Sequence, residues 1–246
     1  MLDWIADPNI WASLLTLTFL EIVLGIDNII FLSIITERVA ENRRVFAQRL
    51  GLGLALIGRL ALLAGLVWLT KLTTPLFEIF DLEVSWRDII LMGGGLFLLV
   101  KATSEIHGTV EGGHGSGHGG GKTTSFAAAI AQILAIDIVF SLDSVITAVG
   151  MTDNLPIMVT AVCIAIAVMM FAATPISNFI RRHPTTKMLA LAFLLLIGVA
   201  LVADALHFHV PRGYLYFAIA FSLMVETLNL VATRRRKRAA EQEGAE

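Results

Sequence analysis

Seven stretches of this chain are too long and too apolar to be kept in water: about 10–35, 50–70, 88–104, 126–151, 157–180, 187–206 and 213–233. A helix crosses the hydrocarbon core of a bilayer with ~20 residues. In lipid every backbone N–H and C=O must be satisfied within its own segment or barrel, so apolar runs of this length read as membrane helices. The composition agrees. Hydrophobic residues make up 57% of the chain and charged residues 15%, against roughly 25% charged in a soluble domain. With a mean hydropathy of +0.80, a soluble enzyme, a disordered chain and a nucleic-acid binder are excluded. The fold class expected is all-α: a polytopic membrane protein with seven transmembrane helices. Residues 1–9 carry no Lys or Arg, so the first run reads as a retained span rather than a cleaved leader. The single cysteine, Cys163, reads as a small packed side chain.

Orientation follows from the basic residues near short loops. One side gathers Arg38, Arg43, Arg44, Arg49, Lys101, Lys122, Arg181, Arg182, Lys187 and the tail 234–238, fourteen in all. The other side gathers Lys71, Arg87 and Arg212. This bias puts the C-terminus in the cytoplasm and the N-terminus outside, which needs an odd number of spans.

The first and fourth spans are copies. EIVLGIDNIIF (21–31) aligns without a gap on DIVFSLDSVIT (137–147), so Glu21 meets Asp137, Asp27 meets Asp143 and Asn28 meets Ser144. The copies lie three spans apart and therefore cross in opposite directions. That is an inverted-topology repeat, an architecture of secondary transporters whose sites lie near the midplane at the repeat interface. The chain divides into a transmembrane domain over 1–233, with halves at about 10–106 and 126–206 and one extra helix at 213–233. A Gly/His-rich cytoplasmic loop follows the first half at 107–121, and a basic then acidic cytoplasmic tail occupies 234–246.

An ionisable side chain at the centre of a membrane helix costs ~2.5–3.5 kcal/mol on insertion scales and marks function by default. Here those residues are Glu21, Asp27, Arg59, Asp137, Asp143 and Glu226, with Asn28, Ser141, Ser144 and Asn229 beside them. Carboxylate and amide oxygens without thiolate suit a hard divalent cation. The candidate metal ligands are Asp27, Asp143, Glu21, Asp137, Asn28 and Ser144; Arg59, Glu105, Glu226 and Asn229 are candidate pathway residues. Arg59 reads equally as a counter-charge in an empty site or as a packing bond. Asp27 and Asp143 fall about 100° away from the faces of Glu21 and Asp137, which favours local unwinding of both helices near Gly25 and Ser141. A proton relay or buried structural pairs would use the same acids. The loop histidines His107, His114 and His118 read mainly as a solvated linker, and His207 and His209 as interfacial residues. No nucleotide or nucleic-acid motif and no catalytic constellation is present, so the chain reads as neither a pump driven by ATP nor an enzyme. The bilayer and a metal ion are the partners, and a homo-oligomer is left open.

Five segments carry a family resemblance: FLEIVLGIDNIIFLSI (19–34), ENRRVFAQRLGLGLALIGRL (41–60), GLFLLVKATSEIHG (95–108), AIDIVFSLDSVITAVGM (135–151) and HFHVPRGYLYFAIAFSLMVETLNL (207–230). In order and over nearly the whole chain they resemble the TerC family of integral membrane proteins, in its short form without CBS-pair and transporter-associated domains. The resemblance implies metal-ion efflux with Mn²⁺ as the best-supported substrate class, no resident cofactor, and a place in a wider lysine-exporter-like superfamily. Some relatives are linked to calcium, tellurite resistance or alkaline pH. The family's paired acidic motifs fall on Glu21, Asp27 and Asn28, then Asp137, Asp143 and Ser144. The function expected is Mn²⁺ export by alternating access across the cytoplasmic (inner) membrane. The alternatives are calcium or proton/cation exchange through the same acids, and a non-transporting scaffold of a metal or tellurite stress complex.

Overall fold

The computed structural model describes residues 8–65, 75–79, 82–111, 125–152 and 154–243; some side chains in this range, those of Asp143 and Thr147 and the ones beyond 232 among them, lie outside the description. In chain order the elements are α1 (Pro8–Glu37), a 3-10 turn (Glu41–Arg43), α2 (Arg44–Ala64), β1 (Pro75–Ile79), β2 (Leu82–Ser85), α3 (Trp86–Glu111), α4 (Phe126–Met151), α5 (Leu155–Arg182), α6 (Pro184–Ala205) and α7 (Arg212–Glu243). The first six helices are each long and apolar enough to cross a membrane, and α7 carries the seventh apolar stretch of the sequence. Large apolar side chains such as Phe19, Val100, Phe171 and Phe217 point outward and are at least 70% exposed, as a lipid-facing surface requires.

Each inner helix turns one stripe inward. On α1 it is Leu17, Glu21, Gly25 and Ile29; on α2 it is Gln48, Leu52, Ala55, Arg59 and Leu63. Residues three and four apart share a helix face, so the buried charges ride on the same stripes as the buried aliphatics. Glycines set how closely the helices approach. A Cβ on Gly25 would collide with the Met169 thioether, and one on Gly94 would lie 2.6 Å from the Val139 methyls. One on Gly95 would lie 2.8 Å from the carbonyl oxygen of Gly198, and one on Gly198 3.1 Å from that of Gly95. This is small-residue packing of membrane helices.

The packing has the symmetry of the repeat. Helix α1 lies along α5 and α2 along α4, which are equivalent pairs with the two halves exchanged, while α3 packs on its own counterpart α6. The ends confirm the inversion. Arg38 bridges to Glu105 at 2.8 Å and Lys187 to Glu37 at 2.7 Å, so the C-terminal ends of α1 and α3 meet the N-terminal end of α6. We call this the basic end. Phe46 stacks on Phe126, bringing the starts of α2 and α4 there too. At the opposite end His207, just past α6, reaches Asp88 in the first turn of α3 at 3.3 Å.

Several details depart from the sequence reading. Helices α1 and α4 run unbroken through Gly25 and Ser141, so neither unwinds. Gly25 is there for the close approach of α5, and the Ser141 hydroxyl is turned to Asp137 at 3.2 Å. The second span starts at Arg44 rather than 50, and the residues after Gly65 lie outside the description. Helix α3 continues to Glu111, taking in the first residues of the Gly/His tract, with His107 3.0 Å from Glu111; His114 and His118 lie outside the described residues. The tail is helical to Glu243. Strands β1 and β2 pair antiparallel, Phe77 with Val84 and Glu78 with Glu83. At the foot of β2 is a reciprocal cap. The Ser85 N–H donates to Asp88 Oδ2 at 2.9 Å and the Asp88 N–H to Ser85 Oγ at 3.3 Å, starting α3 as a capping box.

Candidate functional site

The inward stripes of α1, α2 and α4 converge on one cluster. Arg59 Nη1 donates to Glu21 Oε2, and Nη2 donates to Asp137 Oδ1 at 3.4 Å. All three are buried, Glu21 and Arg59 at 2% exposure and Asp137 at 7%. At 1.5 Å of rise per residue they lie roughly 17–24 Å from the basic ends of their helices, well inside the membrane. Glu21 and Asp137 are repeat mates, so one guanidinium ties the equivalent acids of both halves. Ser141 donates to the second oxygen of Asp137, and Ser144 Oγ donates to the Ser141 carbonyl at 3.3 Å.

Beside the cluster is a narrow cavity of about 40 Å³, lined by Asp27, Arg59, Phe140, Ser144 and Asp204 among others. A cavity of about 10–15 Å³ already holds one ordered water, so this one has room for an ion with part of its hydration shell. Asn28 is half-buried next to Asp27, with neither its Oδ1 nor its Nδ2 hydrogen-bonded among the described residues. Leaving such a group unsatisfied costs ~1–3 kcal/mol, and an amide kept in that state is a ready oxygen donor. Asp143 lies on α4 one residue before Ser144, with its side chain outside the description. Among the described residues no group of three or more His, Cys, Asp and Glu side chains is preassembled to hold a metal. Glu21 and Asp137 are held by the guanidinium instead.

The other candidates lie elsewhere. Glu105 is clasped at the basic end by Arg38 and by Lys101 at 3.2 Å. Glu226 accepts from the hydroxyls of Thr185 at 2.5 Å and Thr186 at 3.1 Å. Those threonines open α6, whose N-terminal N–H groups favour a carboxylate. Asn229 is exposed on α7.

A polar feature that the sequence reading missed joins α1, α2 and α5 nearer the basic end. The Gln48 amide nitrogen donates to Thr36 at 3.2 Å and to Ser177 at 2.9 Å, and its oxygen accepts from Thr174 at 3.3 Å. Ser33 and Ser177 hydroxyls are 2.5 Å apart. These residues line a cavity of about 220 Å³ whose rim holds Glu37 and Arg44.

The motif that supplies Glu21, Asp27 and their mates lies inside a match to a family model, "Integral membrane protein TerC family", covering residues 6–241. The chain belongs to the TerC family. It is 56% identical over 234 residues to the UPF0053 inner membrane protein YgdQ of Escherichia coli K12, an alignment spanning 94% of this chain and 97% of that protein. It is 51% identical to a UPF0053 protein of Haemophilus influenzae over 96% of this chain and all of that one. A third relative, the inner membrane protein YoaE of Escherichia coli K12, is 51% identical over 95% of this chain but only 45% of its own length. No solved structure is similar. This TerC protein is thus a polytopic membrane protein, and its relatives YgdQ and YoaE carry inner-membrane names.

Proposed function

We propose that this TerC protein exports a divalent cation, Mn²⁺ before Ca²⁺, from the cytoplasm by alternating access between its inverted halves. The basic end faces the cytoplasm. Asp27 and Asp143 are the principal ligands, Asn28 and Ser144 supply neutral oxygens, and Glu21 and Asp137 complete the site or carry coupling protons. The observation that carries this reading is the pair of repeat-related carboxylates, buried deep in the bundle and beside a small cavity lined by Asp27 and Ser144. Buried charge of this kind is retained in membrane helices where ions or protons pass, and an all-oxygen donor set suits a hard cation.

The test is cellular manganese content over time in cells lacking their own manganese exporters. Wild type is compared with the Asp27→Asn/Asp143→Asn variant at matched membrane levels. Wild type empties the cells faster and the variant does not. Equal retention by both would abandon manganese export and move calcium flux or a scaffold role to the front.

A further inference from the structure

The guanidinium of Arg59 holds the place a cation would take. It is 2% exposed and shared between Glu21 and Asp137, one acid from each half. It is nevertheless incompletely satisfied, since Nε has no hydrogen-bond partner among the described residues. The same cavity that Arg59 lines is lined by Asp204, whose Oδ1 also lacks a hydrogen bond among the described residues; a ring nitrogen of the exposed His209 lies 3.5 Å from it. A residue with an unsatisfied donor and one with an unsatisfied acceptor thus line the same cavity. A divalent cation drawn to Asp27, Glu21 and Asp137 would meet a fixed positive charge a few ångströms away. In a low-dielectric interior such repulsion is several times that in water.

We propose that Arg59 is a tethered counter-cation: it neutralises Glu21 and Asp137 in the empty carrier and turns into the cavity toward Asp204 when the transported cation takes the carboxylates. The guanidinium and the cation then occupy the acid pair alternately. The empty carrier can return across the membrane without exposing two bare carboxylates to its apolar surroundings, where unpaired charge is heavily penalised. This rests on the transport reading above and adds the device that lets the unloaded site reset.

The test is Mn²⁺ binding to purified, detergent-solubilised full-length protein, followed by loss of the six-line spectrum of the free aquo ion, together with uptake into proteoliposomes. Arg59→Gln is expected to bind Mn²⁺ at least tenfold more tightly than wild type and to transport it at least tenfold more slowly. Folded Arg59→Gln that binds no more tightly than wild type overturns the proposal. Should Arg59→Gln not fold, the comparison is Asp137→Asn against Arg59→Gln/Asp137→Asn, the second of which keeps the net charge of the native cluster. Tighter binding in the double variant supports displacement, and equal or weaker binding overturns it. A wild type that neither binds nor moves Mn²⁺ sinks the transport reading by itself. In that case binding unmasked in Arg59→Gln still supports the counter-cation, and binding in neither protein overturns it.

Discussion

Gln48 shows what a single side chain can hide from a sequence reading. It stands in ENRRVFAQR (41–49), where the neighbouring arginines make the segment look like a solvated connection, yet α2 begins at Arg44 and Gln48 is 5% exposed. Its partners Thr36, Thr174 and Ser177 are small hydroxyls lost in the average of apolar runs. The intramembrane acids, in contrast, stood out against an apolar background, and their spacing in two copies was enough to single out Glu21, Asp27, Asp137 and Asp143. What spacing could not supply was Arg59 lying across both halves, because that contact joins residues 38 and 78 positions apart. Gln48→Leu removes three hydrogen bonds while leaving Thr36, Thr174 and Ser177 in place. It is expected to destabilise the protein by ~1–3 kcal/mol, read as a lower midpoint of thermal unfolding in detergent. A midpoint equal to wild type would show that the clamp contributes nothing. Ser85→Ala tests the cap on α3, and the expected loss is about 1 kcal/mol, seen as faster hydrogen exchange over residues 85–90.

At the scale of elements, helix existence was legible because apolar runs bounded by charge leave few alternatives in a membrane. The ends were less so. Helix α3 extends past the predicted 104 because TSEIHGTVE (103–111) is polar without being helix-breaking. The two strands over 75–79 and 82–85 escaped notice because runs of five and four residues are too short a signal to stand out between two spans. Packing distances separate the glycines of α3 in a way hydropathy cannot. A methyl on Gly95 meets the Gly198 backbone, which cannot move aside, whereas one on Gly93 meets nothing within 4 Å. Gly95→Ala should therefore cost about 1–3 kcal/mol through overpacking of α3 against α6, and Gly93→Ala should be near neutral. The paired thermal midpoints check this, and equal losses at both positions would mean that the α3–α6 approach is looser than described. Gly25→Ala belongs between them, because the obstacle there is the flexible end of Met169.

At the scale of the whole molecule, the exchange of partners between halves gives the proposed alternating access a concrete form. The α1–α5 pair and the α2–α4 pair are equivalent contacts between the two halves, so a rocking of one half on the other can open one end while closing the other. Near the basic end α1 and α5 are joined at Ser33 and Ser177, whose hydroxyls are 2.5 Å apart; at the opposite end His207 and Asp88 join α6 to α3. Freezing either junction should arrest transport without touching an acid of the cluster. The decisive variant carries Ser33→Cys and Ser177→Cys in a chain whose one native cysteine, Cys163, is replaced by Ala. Oxidation should bridge the new pair and lower manganese flux at least tenfold, and reductant should restore it. Each single-cysteine chain should stay active under the same oxidant. A bridged protein that still transports at the wild-type rate would mean that α1 and α5 do not part at this end during the cycle, and the rocking movement would have to be carried by α3 and α6 instead.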